Sequence, residues 1–320
     1  MPSRYTISRM NRAFSLVAPL LLLAAVPQFK IPKPTIGDVA KAAGADAIFK
    51  KGPAITTNIK DAKWAKDYSG TSEGRRSLME LQRTPNGGFV LQPGSYAMTV
   101  QSYCMHAGSH GPSSGDGYIF APVLGPFHDY VTTVARNSVN HPEIPQRDVQ
   151  VLIWALIART KTSDLQGGAK SAAEKLLTRK QRYDIDGGAL GVLSDDRFAQ
   201  AFGGQPPLLR QIYEAEARLR QMLTSSGTTF EQMERVAVLA GEAPLGPGSC
   251  EVPSGRWSQH PDGYWVRYFP SGYSTTKIEL DVPQGSPAVG KEFDPATQVA
   301  TPGNTARQRL LQSARPKDLD

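Results

Sequence analysis

Long apolar runs, cysteines and clustered charge are all scarce in this chain of 320 residues. Its most apolar stretch, Ala13 to Val26, is shorter than the roughly 20 residues a helix needs to cross a bilayer. No integral membrane span is therefore expected in the mature chain. Two cysteines, Cys104 and Cys250, exclude a dense disulfide framework and allow one bridge at most. Charged residues are 20% of the chain with no basic stripe, so nucleic acid is not an expected partner. There is no phosphate-cradling Gly-Lys loop, dinucleotide glycine fingerprint or zinc-protease helix, and no cofactor is expected. Nor does any segment repeat.

What the chain does have begins with an export signal. Arg4, Arg9 and Arg12 precede the apolar run, which ends in the small residues Ala24 and Ala25. That pattern predicts a signal peptide over 1–25, with a retained anchor as the alternative. Removing three arginines and no acid takes the formal charge from +7 to +4. The expected home is the periplasm, the cell surface or the medium. In that oxidising setting Cys104 and Cys250 can form one bridge, or Cys104 can remain free.

Residues 26–87 carry little periodicity and read as a partly irregular lead-in. Phe89 to Leu91, the turn residues Gln92, Pro93 and Gly94, and an alternating run from Tyr96 to Ser102 predict β structure running into Cys104. Helical spacing follows over 127–139, 146–161, 170–180, 207–223 and 229–240, with a shorter helix over 196–202 capped by Ser194 and Asp195. Within the span 207–223, Glu214–Arg218 and Glu216–Arg220 lie at i, i+4 and read as a solvated face. Past Cys250 the pattern returns to strands, with a hairpin turn at His260-Pro261-Asp262-Gly263 and alternation over Thr275–Val282. The fold class expected is α+β: β segments bracketing a helical centre, the last an antiparallel β element over 246–283, then a disordered tail over 284–320. The core proper is placed at 88–245.

The helix beginning at Gln146 is apolar on every side from Val149 to Ala158 except at Gln150. A helix apolar all round is buried, so the Gln150 carboxamide needs partners or a chemical use. Tyr103-Cys104-Met105, an aromatic-Cys-apolar motif, together with Gln150-Val151-Leu152-Ile153-Trp154, resembles the paired motifs of bacterial thioester domains of surface adhesins. Two positions depart from that pattern: Val149 stands where the family has Thr, and Leu152 where it has Ala. The family's Gln-Asn-Pro motif has only an echo in Pro283-Gln284-Gly285-Ser286-Pro287.

The resemblance implies that Cys104 and Gln150 condense, with loss of ammonia, to an internal thioester in an environment that includes Tyr103, Trp154 and His106. It implies covalent, single-turnover attachment to an amine on a surface protein or polysaccharide ligand rather than enzymatic turnover. A second class is a non-covalent structural or assembly component of the bacterial envelope or a secretion apparatus, with Gln150 simply hydrogen-bonded. A third is a cysteine hydrolase, with His106 or His110 as base to Cys104. Cys104, His106 and His110 lack a fourth ligand, so no metal site is assigned. Trp257, Tyr264, Trp265 and Tyr268 mark a possible ligand surface for sugar stacking, set against aromatic packing within a small sheet.

Overall fold

The computed structural model describes residues 53–63, 67–71, 74–187 and 206–317. The signal peptide expected over 1–25 and the short helix expected over 196–202 lie outside these residues. Six strands carry the architecture: β1 Gly94–Cys104, β2 Tyr118–Pro122, β3 Trp265–Pro270, β4 Thr275–Val282, β5 Gln298–Pro302 and β6 Leu310–Pro316. They pair in the order β1, β6, β5, β2, β3, β4 and back to β1, antiparallel at every step. That is a closed barrel, so no barrel strand presents a full-length bare edge.

Alternation along the strands fills the interior. Met98, Val100, Phe120, Val266, Ile278, Leu280 and Leu310 belong to one buried apolar cluster. Among the described residues, six helices are inserted between β2 and β3: α1 His128–Ser138, α2 Gln146–Ile157, α3 Gly167–Leu176, α4 Arg179–Gly187, α5 Pro207–Thr224 and α6 Phe230–Ala237. They form a second cluster that reaches the barrel wall through Tyr103, Val299 and Leu311. At its centre is α2, buried at every residue from Val149 to Ile157 and packed on α1, α3, α5, α6 and β1.

This overturns the expected fold class of a helical centre bracketed by β segments. The barrel is the body and the helices are an insertion on its outside. The expected disordered tail is wrong too, because β5 and β6 close the barrel. Their buried faces include Gln298, Gln312, Ser313 and Arg315, which breaks the apolar–polar alternation by which a strand is read. The hairpin turn at 260–263 is present: Ser258 pairs with Val266, Gln259 with Trp265, and Gly263 adopts the φ of +99° that the turn requires. The solvated face expected on α5 holds for Glu214 and Arg218, which are exposed, and is corrected for the other pair. Glu216 and Arg220 are 2% and 7% exposed, covered where the helix packs inward.

Candidate functional site

The site forms where β1 outruns its neighbour. β4 pairs with β1 from Val282 opposite Gly94 to Thr275 opposite Gln101, and Ser102 N–H donates to the Ser274 carbonyl at 3.0 Å. Beyond that point the strand edge would be bare. α2 fills it with two carboxamides one turn apart, on the same helix face. Gln146 Nε2 donates to the carbonyls of Ser102 at 3.2 Å and Ser274 at 2.6 Å. Gln150 Oε1 accepts from Cys104 N–H at 2.8 Å, and its Nε2 donates to the Cys104 carbonyl at 3.2 Å. The two residues named by the resemblance, 46 positions apart, therefore meet in a buried, two-pronged contact.

Their surroundings are dry. Cys104, Tyr103 and Trp154 are fully buried and Gln150 is 2% exposed. Trp154, one turn beyond Gln150, stacks on Phe230 of α6 with ring centroids 5.5 Å apart. Its indole N–H has no hydrogen-bond partner among the described residues. One turn after Phe230, Glu234 accepts a hydrogen bond from the Tyr273 hydroxyl in the turn between β3 and β4. Burial pushes the Cys104 thiol well above its usual value, and the negative charge of Glu234 pushes it further. The thiol is accordingly held protonated.

That electrostatic setting disfavours the hydrolase arrangement, which needs a lowered thiol pKa and a paired imidazole. Burial, helped by Arg309, drives His106 down to about 3. Its Nε2 has no hydrogen-bond partner among the described residues, while its main chain is held by Gln308, whose Oε1 accepts from His106 N–H and whose Nε2 donates to the His106 carbonyl. His110 Nδ1 lies 3.2 Å from the Gly241 carbonyl oxygen. No hydrogen bond joins either ring to Cys104 among the described residues. Nor does any group of three or more His, Cys, Asp or Glu side chains there form a metal cluster. Cys104 and Cys250 are not bridged; one is buried and the other exposed.

The four aromatics picked out as a ligand surface do not form one. Tyr264 and Tyr268 are buried around Gln298, which donates to the Tyr264 hydroxyl and accepts from that of Tyr268. Trp257 is 2% exposed, beneath the guanidinium groups of Arg75 and Arg267. Trp265 is half-buried and stacks on Tyr68 at 4.2 Å. Gln146, Phe230, Glu234 and Tyr273 are the participants that sequence reading missed. Gln146 had a visible signal, since it stands four residues before Gln150 on one helix face. Nothing in the sequence pointed to Glu234 or Phe230. Comparison of the chain with protein-family models, curated proteins and solved structures returns no match.

Proposed function

We propose that the chain is an exported binding protein that attaches to amine-bearing targets through an internal thioester between Cys104 and Gln150. The reading is carried by one observation, the seating of the Gln150 carboxamide on the main chain of Cys104. In the condensation, the Cys104 sulfur attacks Gln150 Cδ and the C–N bond breaks. The thiol proton departs on the nitrogen as ammonia, leaving the S–C bond. Because burial keeps the thiol protonated, that proton transfer belongs to the attack itself. The buried thioester is sheltered from water until an amine on a surface protein or polysaccharide attacks the same carbon. The C–S bond then breaks, an amide joins Gln150 to the target, and the sulfur recovers a proton as the free thiol.

A second reading has its own observation. Gln146 bonds the same strand edge, so the two carboxamides together do for β1 what a further strand would. On that reading the protein is a non-covalent envelope or assembly component. Intact-mass measurement of the native protein separates them. The thioester predicts a mass lower than the processed sequence by one ammonia, and methylamine then adds its whole mass. Cys104→Ala and Gln150→Ala abolish both effects. An unmodified mass that methylamine leaves unchanged rules out the thioester and leaves the non-covalent role.

A further inference from the structure

The proposed condensation and its reversal by an amine both place negative charge on Gln150 Oε1, because attack at a carboxamide or thioester carbon passes through a tetrahedral oxyanion. One donor is already in position. The main-chain N–H of Cys104 donates to that oxygen at 2.8 Å within the buried site. A single donor is half of the usual pair.

The indole N–H of Trp154 is the other candidate. It is fully buried and has no acceptor among the described residues, although buried donors in native proteins nearly always have one. Trp154 stands four residues after Gln150 on α2, so the two share a face. Long side chains on a helix lean back over the preceding turn, which directs the indole towards the Gln150 carboxamide. The Phe230 ring stacked on it fixes its plane. We infer that Cys104 N–H and Trp154 Nε1–H form an oxyanion hole for the Gln150 carbonyl, used once when ammonia leaves and again when the target amine arrives. In the resting amide, Cys104 N–H is the one donor to that oxygen among the described residues. The indole donor gains its acceptor only as the oxygen becomes charged, so its bond stabilises the transition state and not the ground state.

The inference rests on the thioester reading, and the test separates the two. The parent protein is first shown to lose ammonia and to regain mass with methylamine; if it never does, the thioester reading itself falls. In a protein that passes, Trp154→Phe removes the donor. It should lower the yield of the ammonia-deficient species and slow methylamine opening by about a hundredfold, the usual effect of deleting one oxyanion donor. Replacing Trp154 with benzothienylalanine keeps the ring volume and deletes only the N–H, and it serves where Trp154→Phe folds poorly. The expected result is a thermal midpoint near that of the parent with opening slowed by the same factor. Opening at the parent rate in the benzothienyl protein overturns the oxyanion role and leaves Trp154 as packing.

Discussion

The barrel wall and the helical layer each bury a carboxylate against arginines, with opposite results. On the outer face of β4, Glu279 meets Arg75 at 2.9 Å, Arg267 at 2.6 Å and Lys277 at 2.8 Å. Burial works to raise its pKa, but hydrogen bonds from Lys277 and Arg267 and the charges of Arg267 and Arg75 outweigh it, and the net shift is downward. In the helical layer, burial lifts Glu216 on α5 to about 7 against the pull of Arg159 and Arg220. Its Oε2 accepts no hydrogen bond among the described residues. At Glu279, Arg267 also donates hydrogen bonds that replace lost water, while at Glu216 the cost of burial outweighs the charges of Arg159 and Arg220. Buried polar atoms without a hydrogen-bond partner among the described residues occur in both regions, at Tyr118, Asp281 and Gln312 in the barrel and at Glu216 and Trp154 in the layer over Cys104. The contrast therefore belongs to the two carboxylates and not to the regions as wholes.

The largest test of that contrast is Glu279→Gln. It leaves Arg75, Arg267 and Lys277 without their shared carboxylate, and breaking a buried pair this way costs about 3–5 kcal/mol. Denaturant unfolding at neutral pH should show the loss. Because the folded pKa of Glu279 lies below its unfolded value, its contribution is complete above the unfolded carboxyl range and fades as pH falls through the folded value. Parent and variant should therefore converge in acid. A gap that stays constant down to low pH would mean the cluster is packing and not charge.

Glu216 carries the opposite sign. Its folded pKa of about 7 exceeds the ordinary 4.5, so between those values the folded protein holds the extra proton. Stability must then fall as pH rises through that window, by up to about 3 kcal/mol from this group. Glu216→Gln should flatten the fall, measured as unfolding free energy at intervals from pH 4.5 to 7. An undiminished slope in the variant would assign it to other groups.

Much of the layout was readable where local chemistry is strong. The turn at 260–263 declares itself through Pro261 and Gly263, and β1 through its alternation. Five of the helices lie close to their predicted spans because apolar residues recur at their period. Closure of the barrel was not readable. Strand partners are set by contacts far apart in the chain, and β5 and β6 hide behind Pro302, Pro316 and buried glutamines. Aromatic richness after Cys250 was visible, but which ring faces inward depends on register, and register depends on the closure. At the site, Gln150 was conspicuous as a lone polar residue in an apolar helix. Glu234 and Phe230 were not, since a short amphipathic helix looks the same wherever it docks.

The smallest effect is expected at the seam between the two regions, where Gln146 and Gln150 share the edge of β1. Gln146→Ala orphans the Ser102 carbonyl in a partly buried setting and removes one donor from Ser274. It also frees Lys317, whose Nζ donates to Gln146 Oε1 at 2.9 Å. An unsatisfied buried carbonyl costs about 1–3 kcal/mol, and the low end applies because water can reach the outer part of this edge. The Cys104 main chain keeps both of its bonds to Gln150, so the proposed thioester pair is undisturbed. Gln146→Ala should thus lower the unfolding free energy while leaving the ammonia-deficient mass and its opening by methylamine as in the parent. Gln150→Ala should show a similar or larger stability loss and also no mass deficit. If Gln146→Ala erases the deficit as well, the two glutamines act as one edge-capping unit. The seating of Gln150 would then depend on its neighbour one turn earlier, placing the boundary between barrel and layer at Gln146.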